Sequence, residues 1–243
     1  MTAACVFNEL KAVASPEKAL HLSRFFKTGP GQYGEGDRFL GVIVPQTRRI
    51  AKANKAMPFE ALEELLKSPW HEARLCAFLI LVYRFQDRKT TSEEKTEIFR
   101  FYLKHIDRCN NWDLVDLTCK EVIGAYLIDK DRTVLYELAA SEHLWSQRVA
   151  IVSTWAFIRQ SDFTDTLVLA EQLMTHKHDL MHKAVGWMLR EVGKKDRETL
   201  TYFLERHAIK LPRTTLRYAI EHYPEPQRQY FLKMKRDENG KTK

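Results

Sequence analysis

The sequence is poor in the residues and runs that mark several common protein classes. Its 243 residues include four cysteines, which are widely spaced and form no CxxC pair: Cys5, Cys76, Cys109 and Cys119. This usage favours reduced thiols in a cytoplasm over a disulfide-stabilised secreted domain. No apolar run approaches the roughly 18 residues of a membrane span, and the N-terminus lacks a basic region followed by an apolar segment. We therefore expect neither membrane association nor a secretion signal.

Two kinds of ligand site are also poorly represented. His176, His178 and His182 come closest to a metal cluster, but their spacing is loose and no carboxylate of the metalloprotease type accompanies them, so we expect no metal. The glycine-rich segment 28–37 lacks the Lys-Ser/Thr ending of a phosphate-binding loop, which argues against a nucleotide site. We interpret this segment as an ordered connection and expect no cofactor.

Positive charge, in contrast, is in excess. The formal net charge is +7 and the sequence pI is near 9.2, a balance that favours polyanionic partners and nucleic acid above all. Hydrophobic residues make up 44% of the chain and aromatic residues 11%, which is enough for a substantial folded core. Many basic proteins bind no polyanion, so the positions of the cations matter more than their number.

Helical periodicity of the apolar residues runs along nearly the whole chain, and no segment shows the alternation of a β-strand. Short breakers separate the predicted helices. These are Phe7–Ala14, Pro16–Lys27, Pro45–Asn54, Phe59–Lys67, Trp70–Phe85, Ser92–Arg108, Trp112–Asp129, Thr133–Ala140, Leu144–Arg159, Phe163–Thr175, Leu180–Lys194, Glu198–His207, Arg213–His222 and Pro226–Met234. This rhythm is typical of paired antiparallel helices.

Weak internal repetition supports a stacked architecture. Short similar motifs carry a basic residue at Arg74, Arg148 and Lys183, and two helices in roughly 35–40 residues are typical of HEAT-like repeats. We therefore predict an all-α, HEAT-like repeat solenoid forming a single domain over residues 1–234. Within it we expect N-terminal helices at 1–27, the glycine-rich connection at 28–41 and the repeats at 45–234, followed by a basic tail at 235–243.

The first candidate for a functional residue is Asp116. Asn110 or Asn111 is a good N-cap, so a helix should begin near Trp112. Asp116 then lies a full turn inside that helix, at the edge of its apolar face and next to Trp112. Capping does not explain a carboxylate there, and burying one is costly unless it is paired.

Two interpretations of Asp116 stay open at this point. It could form an ordinary surface ion pair with Lys120, four residues further on, or it could have a chemical task. Asp113 has a simpler explanation, because an acid in the first turn complements the helix dipole.

Cations and aromatic residues are combined further along the chain. On a helical projection Trp187 lies away from the apolar face, among Lys183, Arg190 and Lys194. A tryptophan between cations suits a surface that meets a sugar-phosphate backbone, although burial by a neighbouring repeat would also explain it. Arg148 lies beside aromatic residues, where a guanidinium can bind phosphate or a carboxylate. It could equally be a structural arginine paired with an acid.

Three segments resemble the motifs of the AlkD-type DNA glycosylases, which are bacterial HEAT-like-repeat enzymes of alkylation repair. They are Asn111–Asp116, Leu144–Ala150 and Lys183–Glu191, and the likeness extends from Pro16 to His222. The resemblance implies that Asp116 is the catalytic aspartate and that Trp112 and Trp187 flank the deoxyribose of the lesion. It also implies that Arg148 contacts a backbone phosphate and that Phe25 lies near the lesion.

The implied function is excision of N3- or N7-alkylated purines from duplex DNA, without a metal or cofactor. A carboxylate beside the sugar would stabilise the positive charge that develops as the glycosidic bond breaks. We expect Arg148, Lys183, Arg190 and Lys194 to bind DNA phosphates on a concave face. We also expect a monomer in the bacterial cytoplasm, associated with the nucleoid when acting.

Departures from the family pattern leave the preferred adduct open. They are Asn111 before the tryptophan, Ile43 and Val44 before Pro45, and the long loop Gly29–Gly36. The alternative function is a non-catalytic HEAT-repeat module that binds nucleic acid or a protein partner.

Overall fold

In a computed structural model, residues 2–234 are described, and they fold into helices joined by short turns. The chain divides into two compact units, the first ending at Tyr126 and the second beginning at Leu127. Within residues 2–234 the β-type pairing is limited to an isolated bridge between Arg38 and Trp70. The all-α prediction is confirmed for this range. The single repeat domain stays a prediction, and the tail at 235–243 lies outside the described residues.

The first unit contains seven named α-helices. They are α1 Ala3–Ala12, α2 Pro16–Phe25, α3 Val44–Ala53, α4 Phe59–Leu66, α5 His71–Phe85, α6 Ser92–Lys104 and α7 Trp112–Cys119. One turn of 3-10 helix, Ile106–Arg108, precedes α7, and a π-helical stretch, Lys120–Gly124, follows it. Local sequence explains several starts: Ser15 caps α2 with Pro16 in the first turn, and Thr91 forms a capping box with Glu94 at α6.

Helix α5 is the centre of the first unit. Every residue from His71 to Val82 is buried, and α1, α3, α4, α6 and α7 all pack on this helix. Its middle is apolar, as the buried run Leu79–Val82 shows. Its first turn instead buries the polar side chains of Glu72 and Arg74 beside His71. Such groups are rarely buried without partners, so this end of α5 must meet others that satisfy them.

The second unit is built in the same manner around α12. Its helices are α8 Thr133–Ala140, α9 Leu144–Ser153, α10 Trp155–Ile158, α11 Thr164–Leu173, α12 Asp179–Lys195, α13 Arg197–His207, α14 Arg213–Ala219 and α15 Glu225–Lys233. Helices α9, α11, α13 and α14 pack against α12, which buries one apolar face. The other side of α12 stays partly exposed.

Three predicted helices are interrupted or change type in the structure. The predicted Ser92–Arg108 ends as α6 at Lys104 and is followed by the separate 3-10 turn Ile106–Arg108. The predicted Leu144–Arg159 is interrupted at Thr154, whose hydroxyl donates to the Ile151 carbonyl at 2.7 Å. A threonine bonded back to the preceding turn bends helices. The predicted Trp112–Asp129 ends at Tyr126 and contains the π-helical stretch. Periodicity alone does not reveal such local changes of helix type, because the apolar face continues through them.

The glycine-rich connection between α2 and α3 forms turns, without a helix. It packs closely at Gly34, where a Cβ atom would lie 2.4 Å from the Phe26 carbonyl oxygen. It is open at Gly31, which has a φ of +73° and no atom within 4 Å of a Cβ position. Glycine is favoured at both places for different reasons, space at Gly34 and backbone conformation at Gly31.

Candidate active site

Helix α7 carries the two candidate site residues of the first predicted motif, Trp112 near the start of that motif and Asp116 at the end of it. It begins at Trp112, whose backbone N–H donates to the Asn111 side-chain oxygen at 2.8 Å, so the predicted N-cap is confirmed. Asp116 follows one turn later and is half-buried, as is Trp112. Leu114 and Val115 in the same turn are fully buried. Helix α7 therefore carries an indole and a carboxylate at the edge of the first unit's core.

Three side chains from the end of α2 and the connection hold the Trp112 indole. Phe26 stacks on it with ring centroids 5.2 Å apart, and Phe25 meets it edge-on at 5.9 Å. The indole Nε1–H donates to the Tyr33 hydroxyl at 3.3 Å. We call Phe25, Phe26, Tyr33 and Trp112 the aromatic group. Phe25 is 55% exposed, although large apolar rings are usually buried.

The structure therefore brings together two residues selected by the motif resemblance, Phe25 and Trp112. Tyr33 was not predicted to belong to the site. It lies in a segment without periodicity, so no sequence pattern indicated which way its side chain would point.

A buried chain of charged side chains lies beneath the aromatic group. Nδ1 of His71 is 3.0 Å from Oδ2 of Asp37, and Nε2 of His71 is 2.9 Å from Oδ2 of Asp113. We call this arrangement the Asp37–His71–Asp113 chain. Its members are 9%, 2% and 5% exposed, respectively. The imidazole also packs on the rings of Phe26 and Phe39, with centroids 5.1 and 4.6 Å away.

Further donors converge on Asp37. The Arg74 guanidinium donates to Oδ1 of Asp37, and the side-chain amides of Asn110 and Asn111 donate to the same carboxylate at 3.3 and 3.4 Å. Arg74 also donates to Oδ1 of Asn110 at 3.1 Å and to the Ser68 carbonyl at 2.9 Å. A buried carboxylate is tolerated when its oxygens are satisfied in this way.

The contacts decide which of these groups are charged. Burial by itself would lower the pKa of His71, but the charge and hydrogen bond of Asp113, with those of Asp37, raise it to about 9. Burial would raise the pKa of Asp37, yet the hydrogen bond from His71 and the charge of Arg74 hold it below its ordinary value. At neutral pH His71 is therefore protonated, as an imidazolium held between the side chains of Asp37 and Asp113.

Asp113 has more than the role expected from its position. Its Oδ1 accepts the Leu114 N–H at 2.9 Å, a bond within the first turn of α7. Its Oδ2 binds His71, a contact that the helix-dipole explanation did not include. The missed signal was the group of polar residues at the start of an otherwise apolar α5, which required partners from elsewhere.

Glu72 fixes the end of the connection. It is 1% exposed, and its carboxylate accepts the backbone N–H groups of Leu40, Gly41 and Val42 at 2.9, 2.8 and 3.1 Å. One side chain on α5 thus satisfies three consecutive donors of a segment that has no regular structure. The connection is held against the same turn of α5 that carries His71.

The cations predicted on α12 lie on its partly exposed side, near the half-buried Trp187. Each has an acidic neighbour in the second unit. Lys183 pairs with Asp179 at 2.8 Å and Lys194 with Glu191 at 2.8 Å. Arg190 pairs with Glu221 and lies 3.6 Å from Glu191. Their role in DNA binding stays a prediction.

Arg148 is placed differently from these cations. It is 5% exposed, and one guanidinium nitrogen donates to the carbonyl of Leu180 in the first turn of α12. Part of its donor capacity is therefore used inside the second unit. The predicted phosphate contact would have to use its other donors.

The three histidines near α12 are engaged locally. Nδ1 of His176 accepts the His178 N–H, Nδ1 of His178 accepts the Leu180 N–H, and Nε2 of His182 lies against the His176 carbonyl. Among residues 2–234, no group of three or more histidine, cysteine or acidic side chains could hold a metal ion. Over the same range, every helix is too short or too polar to cross a membrane.

These features define a basic protein that is all-helical over residues 2–234, with a partly exposed aromatic and acidic candidate site on its first unit. The chain belongs to the DNA alkylation repair enzyme family, which it matches over residues 6–223. The family gives the protein a role in alkylation repair, and the helical architecture is consistent with the helical-repeat fold of that family.

A solved structure has the same fold. It is described as a predicted DNA alkylation repair enzyme from Enterococcus faecalis, and it matches with a TM-score of 0.67 at 17% sequence identity. The match covers 87% of this chain and 97% of that chain. No curated protein matches the sequence significantly.

Proposed function

We propose that the protein is a DNA glycosylase that releases N3- or N7-alkylated purines from duplex DNA, with Asp116 as the catalytic carboxylate. The observation that carries this proposal is the position of Asp116 one turn from Trp112, whose indole is held by Phe26 and Tyr33 and borders the exposed Phe25. An exposed ring beside a fixed indole suits contact with a nucleotide, because both faces stack on sugars and bases.

The chemistry requires little from the protein. An N3- or N7-alkylated purine is cationic, so the bond from C1′ to the base breaks with its electrons leaving on a base that becomes neutral. The sugar acquires oxocarbenium character, which the Asp116 carboxylate stabilises electrostatically, and the indole face of Trp112 favours the same positive charge. Water then adds to C1′ and loses a proton, leaving an abasic site. No acid is needed to protonate the leaving base.

The surface around the aromatic group also suits a polyanion. Arg24, Lys27 and Arg38 adjoin the phenylalanines of this region in the chain, and all three are exposed. Within residues 2–234 none of their side chains forms an ion pair or hydrogen bond with another residue. Such cations are available to backbone phosphates, whose neutralisation supplies most of the affinity of non-specific DNA binding.

In the second unit, Trp187 is proposed to contact the sugar of the lesion. Arg148, Lys183, Arg190 and Lys194 are proposed to contact phosphates. These roles rest on the motif resemblance and on the partly exposed side of α12. The exposed ion pairs made by the lysines are worth about 0–1 kcal/mol, so phosphate can replace the acidic partners at little cost.

The test is release of free base from duplex DNA that contains 7-methylguanine or 3-methyladenine. We expect release by the natural protein, a loss of at least about a hundredfold in rate for Asp116→Asn, and duplex binding that is unchanged or tighter because a negative charge is removed. Asp129→Asn is a matched control, since Asp129 is exposed and lies outside α7. Binding of DNA by the natural protein without base release would instead favour the non-catalytic module.

A further inference from the structure

Burying the charged Asp37–His71–Asp113 chain in a small core costs desolvation free energy. Burying charges carries a desolvation penalty that their mutual attraction barely repays, and apolar residues of similar volume are often at least as stabilising. The three members are nevertheless nearly inaccessible to water, and donors from Arg74 and two asparagines complete the arrangement. Stability alone does not account for it, so its geometry needs an explanation.

The Asp37–His71–Asp113 chain joins three segments that meet under the aromatic group. Asp37 belongs to the connection that carries Tyr33, His71 is the first residue of α5, and Asp113 is the second residue of α7. Asp113 directly follows Trp112 and precedes Asp116 by three residues. Anchoring its carboxylate to α5 therefore fixes the rotation of the first turn of α7 about its axis, and with it the directions of Trp112 and Asp116.

The His71 imidazole also connects to the Trp112 indole through the ring of Phe26. His71 packs on Phe26 at 5.1 Å, and Phe26 stacks on Trp112 at 5.2 Å. A cationic ring against an aromatic face is an attractive contact. Hydrogen bonds and ring stacking thus connect His71 to Trp112 by two separate routes, one through Asp113 and one through Phe26.

His71 has no means of acting on DNA directly. It is 2% exposed, and both ring nitrogens are engaged by carboxylates. A general acid or base must come within hydrogen-bond reach of the reacting group, which this position prevents. Any influence on the reaction must pass through the residues that His71 holds.

We propose that the Asp37–His71–Asp113 chain is a positioning device for the glycosylase reaction, which sets the directions in which Trp112 and Asp116 meet the sugar of the lesion. His71 is its central positioning residue. This inference rests on the proposed function, because it assigns the reaction to Trp112 and Asp116. It adds buried residues that lie outside all three sequence motifs, Asp37 and His71, and gives Asp113 a partner.

Because His71 carries a charge, its contacts with Asp37 and Asp113 should depend on pH. The groups that face the imidazole are Asp113 from α7, Asp37 from the connection, and the rings of Phe26 and Phe39, while Arg74 lies behind Asp37. With its pKa raised to about 9 by Asp113 and Asp37 against the effect of burial, His71 keeps its proton at neutral pH. Its deprotonation above that value would remove the bridge between the two carboxylates.

The primary test is the variant His71→Gln, which keeps a similar size but can donate to only one of the two carboxylates. In single-turnover base release at saturating protein, we expect a rate lower by on the order of tenfold to a hundredfold, as for a small misplacement of catalytic groups. Duplex affinity should stay within a few-fold. His105→Gln is the matched control, because His105 is 8% exposed in the same unit and contacts Phe101 and Glu63 rather than α7.

A pH profile separates positioning from general loss of packing. The rate of the natural protein, corrected for uncatalysed release, should fall as the pH passes about 9. This alkaline decrease should persist in His105→Gln and be absent from His71→Gln. If His71→Gln does not fold, Asp113→Asn, which keeps the size and one oxygen acceptor of Asp113, replaces it in the rate and resonance measurements. Its alkaline decrease should move to lower pH, because Asp113 no longer supplies a negative charge beside His71.

A readout that needs no activity is the indole N–H resonance of Trp112 in 15N-labelled protein, assigned with Trp112→Phe. We expect it to shift in His71→Gln and to stay in place in His105→Gln. If the natural protein releases no base, the proposed function fails while this resonance still tests the positioning of Trp112. A folded His71→Gln protein with an unshifted resonance, or with a natural rate of base release, would overturn the proposal.

Discussion

The candidate site regions of the two units use charge in opposite ways. Around the aromatic group, the first unit buries an ionic cluster, the Asp37–His71–Asp113 chain, and carries exposed cations such as Lys27, which forms no ion pair within residues 2–234. The second unit keeps most of its predicted DNA-binding cations near the surface, each beside a carboxylate, as in the pair of Lys194 with Glu191. The number of cations along a sequence therefore says little about how many of them are available to a polyanion.

The difference also separates structural charges from exchangeable ones. A buried ionic group is fixed, because removing one partner leaves the other unsatisfied at a cost of about 3–5 kcal/mol. An exposed pair contributes about 0–1 kcal/mol and can be rearranged. By this criterion the buried carboxylates beneath the aromatic group should control the shape of that region, and the carboxylates beside the cations of α12 should mainly tune the surface.

The largest expected effect is on stability. Glu72→Ala should lower the free energy of unfolding by about 3–5 kcal/mol, since it leaves three buried backbone N–H groups without their acceptor. Glu191→Ala in the second unit should change it by about 1 kcal/mol or less. Denaturant titration of both variants measures the contrast. Equal losses would show that the two units do not differ in the way described.

The next effect depends on pH. The pKa of His71 is raised from its ordinary 6.5 to about 9 in the folded protein, so its stabilisation is complete below 6.5. As the pH rises from 6.5 to 9, the unfolded state loses the proton that the folded state keeps, and stability should fall by up to about 1.4 kcal/mol per pH unit. Unfolding curves of the natural protein and His71→Gln check this. A natural protein with flat stability across that window would mean that His71 is neutral.

A smaller effect is expected at Trp187. Because this tryptophan is half-buried on the partly exposed side of α12, Trp187→Ala should lower the rate of base release about tenfold, or roughly 1.4 kcal/mol, with a modest loss of stability. Kinetics and a thermal melt on the same preparation distinguish the two. A stability loss of several kcal/mol, as for truncation of a core tryptophan, would favour the structural interpretation.

The smallest effect should come from Lys27, which has a φ of +52°. Left-handed backbone conformations favour glycine, so Lys27→Gly should leave stability equal or a few tenths of a kcal/mol higher. It should also reduce the log–log salt dependence of duplex binding by about 0.9, the slope of one phosphate contact. Ser161→Gly, at a φ of +61° in the second unit, is the control for backbone relief without loss of charge. Unchanged DNA binding in Lys27→Gly would remove Lys27 from the interface.

Local patterns predicted the helical parts of this arrangement well. Periodicity gave the helices, and the capping preference of Asn111 gave the start of α7. These features depend on residues close together in the sequence. The contact between Phe25 and Trp112 is non-local, and both residues were selected as site residues only because the motifs resemble those of a known family.

The buried ionic contacts could not be predicted in the same way. His71 lies 34 residues from Asp37 and 42 from Asp113, and Glu72 binds backbone groups 30–32 residues away. Neither helical periodicity nor capping specifies a partner at such distances. The polar start of α5 showed that partners were needed, but only the fold identified them.

The anchoring of the connection has a practical consequence for protein engineering. Glu72 holds the backbone at residues 40–42, and Gly34 packs against Phe26, so insertions there would disturb the site. Gly31 lies between Phe26 and Gly34 in the chain, is exposed and has no atom within 4 Å of its Cβ position. Exposed loop tips are the places where chains accept inserted residues. A short tag or a fluorescent label inserted directly after Gly31, so that the glycine itself is kept, would lie close in the chain to Tyr33 of the aromatic group and should report on bound DNA while the buried carboxylates stay undisturbed.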